Sequence, residues 1–383
     1  MLNEKELIEI RRALHQIPEI ALQEHETAML LRDVIAKMPN NYLTVHIPSA
    51  FPTATLVYVR GSNPSRTIGF RADIDALPVK EQTGYEFASQ HDGFMHACCH
   101  DFHMTVALGI LSYFAENQPQ NNMVFLFQPG EECASGAKLM YDDGVFTGKW
   151  LPDEFYALHA QPNLPAGAIA TSVGTIFAGC VEFFIDIVGI GGHAAYPYKL
   201  KDPIVAGAEY VNLLQTVISR SINPVQGAVI SVGKFHAGTS TNVIPDTLRI
   251  EGTARALTQE TIDLLICRIK EVAHGIETAY GVKISLEFVQ GGYMPVENDK
   301  ELTKCFIDYM QSAPDVDFYE TEPTMGAEDF GYIIQNIPGV MFWLGVNSDA
   351  TLHSALIMPD ESAIIKGVMA VKGFLGFRDS SPH

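Results

Sequence analysis

Nine consecutive residues, Met95-His96-Ala97-Cys98-Cys99-His100-Asp101-Phe102-His103, hold three histidines, two cysteines and an aspartate. A thiolate and an imidazole are the donor pair of a zinc-like site. Cys98 and His100 stand two apart, so an extended backbone would send both side chains to one face. Two donors do not make a site, and the chain offers more. An apolar run at residues 122–128 leads into Pro129-Gly130-Glu131-Glu132. Adjacent carboxylates repel and raise one pKa, and a cation relieves that repulsion. One glutamate could then hold a metal while the other, facing away, moves a proton near neutral pH. Taken alone, Glu131-Glu132 reads equally as a solvated acidic turn. His159 ends another apolar run at 155–159, and His353 follows a third at 339–345 after a short loop. Cys98, His100, Glu132, His159 and His353 are all expected at or just after strand ends. A structural role for each one separately does not explain that coincidence, and a metal site does. Asp73 and Asp75 close the run at 67–71, where open α/β sheets place their chemistry. As residues alone they fit a turn as well as a site.

The elements that must position these groups follow from periodicity. Residues 3–37 read as a helix interrupted at Pro18, with Leu7, Ile8, Ile10, Arg11 and Leu14 on its first face. His15 lies in the break, where a solvated or capping role is expected. Residues 54–58, 67–71, 122–128, 155–159 and 339–345 read as strands, and 104–116 as a helix. The middle of the chain changes character. A strand at 181–188 and a helix at 202–221 are followed by strands at 228–235 and 247–256. A helix at 258–280, with Leu264, Leu265, Ile269, Val272 and Ile276 on its apolar face, precedes a strand at 282–289. The order βαββαβ is that of a ferredoxin-like unit. The expected organisation is therefore a discontinuous α/β domain, 1–176 with 290–383, interrupted by a second domain at 177–289. The cluster Gly189-Ile190-Gly191-Gly192 before His193 lacks the spacing of a dinucleotide fingerprint. The polar tail 379–383 is expected to fray.

At 383 residues, two domains are the natural expectation, and 47% hydrophobic with 18% charged residues is an ordinary globular composition. The formal net charge of −20 argues against nucleic-acid or anionic-membrane partners. Charges interrupt the N-terminus from the fourth residue, so no signal peptide is expected. The apolar stretch 175–192 is broken by Glu182 and Asp186, so no membrane span is expected. Six irregularly spaced cysteines are expected to be reduced, and the protein cytoplasmic. Cys180, Cys267 and Cys305 read as small buried apolar residues.

Motifs along nearly the whole chain match one family. They include Leu14-His15-x-x-Pro18-Glu19, Arg71-Ala-Asp-Ile-Asp-Ala-Leu-Pro78, Met95-His-Ala-Cys98, His100-Asp101-x-His103 and Gln128-Pro-x-Glu131-Glu132. Further on come Leu158-His159, Gly191-Gly-His193, Asn242-Val-Ile-Pro245, Gly252-Thr-x-Arg255, Gly326-Ala-Glu-Asp-Phe330 and Leu352-His353-Ser354. The chain resembles the two-metal amidohydrolases of the aminoacylase and carboxypeptidase G type. That resemblance implies an α/β, mixed-sheet metallopeptidase-like catalytic domain with the inserted ferredoxin-like domain as a lid and homodimer surface. It implies two divalent ions per subunit (zinc, manganese or cobalt) on Cys98, His100, Glu132, His159 and His353, with the Cys98 thiolate bridging. It makes Glu131 the general base, Asp73 the supporting aspartate that orients a ligand, and His193 the stabiliser of the oxyanion. Asn242 and Arg255 become contacts to a substrate carboxylate. The implied reaction is hydrolysis of an N-acetyl amide on a small molecule. Segments such as Glu81-Gln-Thr-Gly84 and Met341-Phe-Trp-Leu-Gly345 point to N-acetyl-L,L-2,6-diaminopimelate, giving acetate and L,L-diaminopimelate in lysine biosynthesis. A broader N-acyl-amino-acid hydrolase is the alternative, and a non-catalytic metal-binding protein the remote one. Cys99 and Cys133 depart from the family, which has glycine and a small residue there, and imply a site sensitive to oxidation.

Overall fold

The computed structural model describes residues 1–381 and divides the chain into two compact units. The first comprises residues 1–176, 296–322 and 332–383, and the second 177–295 and 323–331. Residues 290–295 and 323–331, read from the sequence as part of the first, therefore fold with the second.

The first unit is built on an eight-stranded mixed sheet. Its order is Leu43–His46, Thr55–Val59, Asn122–Gln128, Thr67–Asp73, Glu154–Gln161, Gly339–Gly345, Ile169–Thr171 and Phe318–Glu320. The four central strands run parallel, with Asp73 opposite Gln128 and His159 opposite Trp343. They are buried on both faces, as their near-continuous apolar sequences require. Parallel pairing brings the carboxyl ends of these strands together, and the loops that leave those ends carry the candidate donors.

Helix His100–Glu116 is buried along almost its whole length, which explains why its sequence shows little amphipathic pattern. It begins four residues earlier than periodicity suggested. Helix Ser362–Ser380 packs on it, with Gly109 allowing close approach: a Cβ there would lie 2.5 Å from Val368 Cγ2. The tail expected to fray is helical through Ser380. Asp379 accepts the backbone N–H groups of Gln120 and Asn121, at 2.8 and 2.6 Å. Pro382 and His383 lie outside the described residues.

Helix Glu4–His15 is capped by Asn3 and Glu6 in a capping box. Its buried face is Leu7, Arg11, Leu14 and His15. Arg11 is buried on the apolar side because its guanidinium meets Asp101 at 2.9 Å. His15 is buried too, not solvated, with Nδ1 2.7 Å from Asp101 and Nε2 3.3 Å from Glu81. Burial pulls its pKa down, but the two carboxylates prevail and raise it.

The second unit is a four-stranded antiparallel sheet in the order Ala228–Ala237, Thr247–Ala256, Gly179–Val188, Lys283–Val289. Helices Pro203–Ser221 and Gln259–Tyr280 close its core through Tyr210, Leu214, Leu265, Ile269 and Ile276. The buried stripe of the second helix runs through Ile262, Leu265, Ile269, Ala273 and Ile276. Leu264 is exposed and Val272 half-buried, so the expected face was rotated from the real one. A two-stranded ribbon, Gly192–His193 with Val243–Ile244, is added to this unit. All six cysteines are free; Cys180 is buried, Cys305 half-buried and Cys267 exposed. Among the described residues no helix is long and apolar enough to cross a membrane.

Candidate metal centre and active site

Cys98 and His100 come together by a different device from the extended segment expected. Cys99 sits between them at φ 65°, ψ 27°, a left-handed turn that opens directly into the helix begun by His100. A left-handed residue explains why glycine suits this position. The turn puts the donor atoms of Cys98, His100 and His159 within 4.8 Å of one another. His159 lies inside its strand rather than at the end, and its Nε2 is 3.5 Å from Cys98 Sγ. Glu132 Oε1 is 3.8 Å from His100 Nε2 and 3.4 Å from His353 Nε2. His353, at φ 65°, is anchored through its own N–H to the Ala97 carbonyl at 2.8 Å, beside Cys98. All five sequence-predicted ligands therefore converge.

The arrangement fits a cation on its own chemistry. His100 Nδ1 donates to the Asp75 carbonyl oxygen at 2.9 Å, so Nε2 presents a lone pair. That atom is buried without a hydrogen-bond partner, and so is Glu132 Oε1 opposite it. His159 Nδ1 likewise bonds the Ala160 carbonyl at 3.0 Å, turning the Nε2 lone pair toward Cys98. Acceptors facing acceptors in a buried space require a positive charge between them. Burial, with Glu132 and Glu131 nearby, pushes the Cys98 thiol well up. His100 is driven down by burial, but Asp73, Asp75 and Glu132 hold it up at about 10. Bound cations would reverse both tendencies. Thiolate, imidazole and carboxylate together suit zinc, manganese or cobalt.

Glu131 does not face away from the centre. Its Oε2 lies 4.0 Å from His100 Nε2, alongside Glu132. The two carboxylates share a four-residue helical turn, Glu131–Ala134, entered through Gly130 at φ 72°.

The two aspartates meet different partners. Asp73 is buried between Arg71 Nη1 at 2.7 Å and His103 Nδ1 at 2.5 Å, and is 3.7 Å from His100. Burial opposes its charge, but His100, His103 and Arg71 hold the carboxyl well below its usual range. Its hydrogen bond goes to His103, whose Nε2 accepts the Ala160 N–H at 2.9 Å, one residue past His159. Asp75 is the group that grips the candidate ligands. Beside its carbonyl bond to His100, its Oδ2 accepts the Glu132 N–H at 3.0 Å. Sequence reasoning left Asp75 undecided; its place two residues past Asp73 was the available signal.

The second unit holds the remaining predicted residues. His193 is exposed on the ribbon, paired with Val243, and the Ala194 N–H donates to the Asn242 carbonyl at 3.0 Å. His193 Nδ1 accepts the Ala195 N–H at 3.1 Å, which leaves the proton on Nε2 as an outward donor. The Asn242 side chain accepts from the Ser240 hydroxyl at 2.8 Å. Arg255 is half-buried on a sheet strand and donates from Nη1 to the Met325 carbonyl at 2.8 Å. His193 and Asn242 are thus neighbours, and Arg255 stands on a different element.

The chain is similar to known proteins. The family model for peptidase family M20/M25/M40 matches residues 69–376. An N-acetyldiaminopimelate deacetylase of Lactobacillus helveticus is 56% identical over 376 residues, 98% of each chain. One of Limosilactobacillus reuteri is 56% identical over 378 residues, 99% of each. A solved structure from methicillin-resistant Staphylococcus aureus superposes with a TM-score of 0.91 at 32% identity, over 98% of this chain and 96% of that one. A Bacillus subtilis dinuclear metal-binding peptidase of the M20 family superposes with a TM-score of 0.88 at 29% identity, over 99% of each. With a matching family model across most of its length and relatives this similar at full length, the chain belongs to peptidase family M20/M25/M40.

Proposed function

We propose that the protein hydrolyses the acetyl amide of N-acetyl-L,L-2,6-diaminopimelate, releasing acetate and L,L-diaminopimelate for lysine biosynthesis in the cytoplasm. The observation that carries the chemistry is the facing of unpartnered acceptors, His100 Nε2 and Glu132 Oε1, beside a second carboxylate on Glu131. The substrate is supported by relatives named N-acetyldiaminopimelate deacetylase at 51–56% identity over nearly the full chain.

In this reading Cys98, His100, Glu132, His159 and His353 would hold two divalent ions. The ions, when bound, supply Lewis acidity that acidifies water and polarises the amide carbonyl. Glu131 removes the proton from the attacking water and delivers it to the leaving amine. His193 donates from Nε2 to the oxyanion that develops on the former carbonyl oxygen. Arg255 and Asn242 bind the substrate carboxylate, the guanidinium offering a bidentate fork. Asp75 and the Asp73–His103 pair hold the ligand-bearing backbone. The second unit serves as lid and as the surface of a homodimer.

The test is product release with and without chelator on a panel. N-acetyl-L,L-diaminopimelate, N-acetyl-methionine and N-acetyl-ornithine are followed by acetate, and N-succinyl-L,L-diaminopimelate by succinate. Chelator-sensitive preference for the first is expected. Better turnover of another member keeps the chemistry and discards the substrate. No turnover after metal is restored removes the catalytic reading.

A further inference from the structure

The stretch between the first two helices carries a motif that the reaction above does not use. Glu24 stands at the N-cap position of helix His25–Ala36, yet its side chain makes no capping bond. That task falls to Glu19, whose carboxylate accepts the N–H groups of Glu26 and Thr27 at 3.1 and 2.9 Å. Glu24 turns the other way and is fully buried. Its Oε1 accepts the Leu22 N–H at 2.7 Å and, 106 residues along the chain, the Gly130 N–H at 2.9 Å.

Gly130 is the hinge of the Glu131–Glu132 turn. It holds φ 72° on entry, and its carbonyl closes the turn by accepting the Gly136 N–H at 2.9 Å. Leu22, itself left-handed at φ 62°, presses on this glycine: a Cβ on Gly130 would lie 3.0 Å from Leu22 Cδ2. The same segment grips the Asp75 loop, where the Ala76 N–H donates to the Glu19 carbonyl at 2.7 Å. The turn is therefore held by two carboxylates, Asp75 on the Glu132 N–H and Glu24 on the Gly130 N–H.

A carboxylate is an unfavourable choice for this place if only packing is served. Burial drives the Glu24 carboxyl up to about 7, opposed by its backbone bonds and the nearby Thr53 hydroxyl, with Asp75 adding repulsion. An apolar residue would avoid that penalty, but it would leave the Gly130 N–H without its buried acceptor.

We propose that Glu24 is a positioning residue for Glu131: by accepting the Gly130 N–H from outside the turn, it fixes where the Glu131 carboxylate stands at the candidate metal centre. This rests on the reading of Glu131 as general base. A carboxylate displaced by about an ångström loses much of its effectiveness in proton transfer while leaving substrate affinity nearly intact.

The experiment compares Glu24→Ala, Glu24→Asp, Glu24→Gln and Glu131→Ala with the unaltered protein. It measures kcat and KM on the best acetylated substrate, and the zinc and manganese binding isotherms of the chelator-stripped proteins. Glu24→Ala and Glu24→Asp, the second too short to reach Gly130, are expected to lose kcat ~10- to 100-fold with KM within about threefold. Their metal stoichiometry is expected to stay unchanged. Glu24→Gln, whose amide oxygen accepts the same N–H groups, should stay within about threefold of the unaltered kcat. Unchanged kcat in Glu24→Asp overturns the proposal. So does a loss in Glu24→Gln equal to that in Glu24→Asp, which would show that charge and not placement is needed. If Glu24→Ala does not fold, the Asp and Gln pair decides alone. Full activity in Glu131→Ala instead removes the base reading, whatever the Glu24 variants do.

Discussion

The candidate donors of the first unit and the candidate substrate contacts of the second are built by opposite rules. Cys98, His100 and His159 are buried, and the Nδ1 of each imidazole is tied to a backbone carbonyl, which fixes the ring's orientation. His193 is exposed on a two-residue ribbon strand, and its ring accepts one hydrogen bond, from the Ala195 N–H. A cation must be held in one geometry, so most of its cage is made rigid by burial, with His353 the exposed member. A group that meets a substrate must be reachable, so it sits on an exposed ribbon. In the proposed function, the first region governs whether chemistry happens, and the second how well and on what.

That contrast can be broken most sharply at Glu131. Replacement by Ala is expected to cut kcat at least ~10²- to 10⁴-fold with both metals still bound, since Glu131 is proposed to move a proton rather than hold an ion. Loss of one metal equivalent by calorimetry would instead make Glu131 a ligand. His193→Ala should follow, with kcat down ~10²- to 10³-fold and the metal isotherm untouched. A kcat within twofold would remove His193 from the oxyanion. Arg255→Met is expected to raise KM roughly tenfold or more, the worth of a charge-assisted pair, with kcat nearly preserved. Substrate amidated at its carboxyl should be indifferent to that change, and an equal loss on the amide would show that Arg255 acts otherwise. Cys99→Gly should have the smallest effect. Relief of a left-handed side chain, about 1 kcal/mol, nearly cancels the added chain entropy and the lost burial of the sulfur. A melting temperature within about 4 °C and unchanged turnover are expected; a large drop would mean the thiol itself is needed.

Much of this was legible because the donors are chemically uncommon and the strands are strongly apolar. The strands 122–128 and 339–345 have the bounds that their uninterrupted hydrophobic runs suggested. The βαββαβ order of the second unit was readable from alternation and helical period alone. What failed was local. The Cys98–His100 stretch was read as extended because period two explains two donors on one face, but a left-handed Cys99 achieves the same end. His15 was read as solvated or capping because neither Asp101 nor Glu81, far along the chain, could be known to meet it. Residues 323–331 could not be placed with the second unit, since nothing in their composition says where they return.

By itself, then, the sequence determined the candidate donors, the acidic pair at 131–132, the apolar strands and the βαββαβ insertion. Each of these depends on residue type and short-range spacing. The tertiary structure decided which carboxylate serves which neighbour: Asp75 on His100 and Glu132, Asp73 on His103, and Glu24 on Gly130. Hydrogen bonds are directional and act over ångströms, so partners distant in the chain are assigned only when the sheet brings its strand ends together.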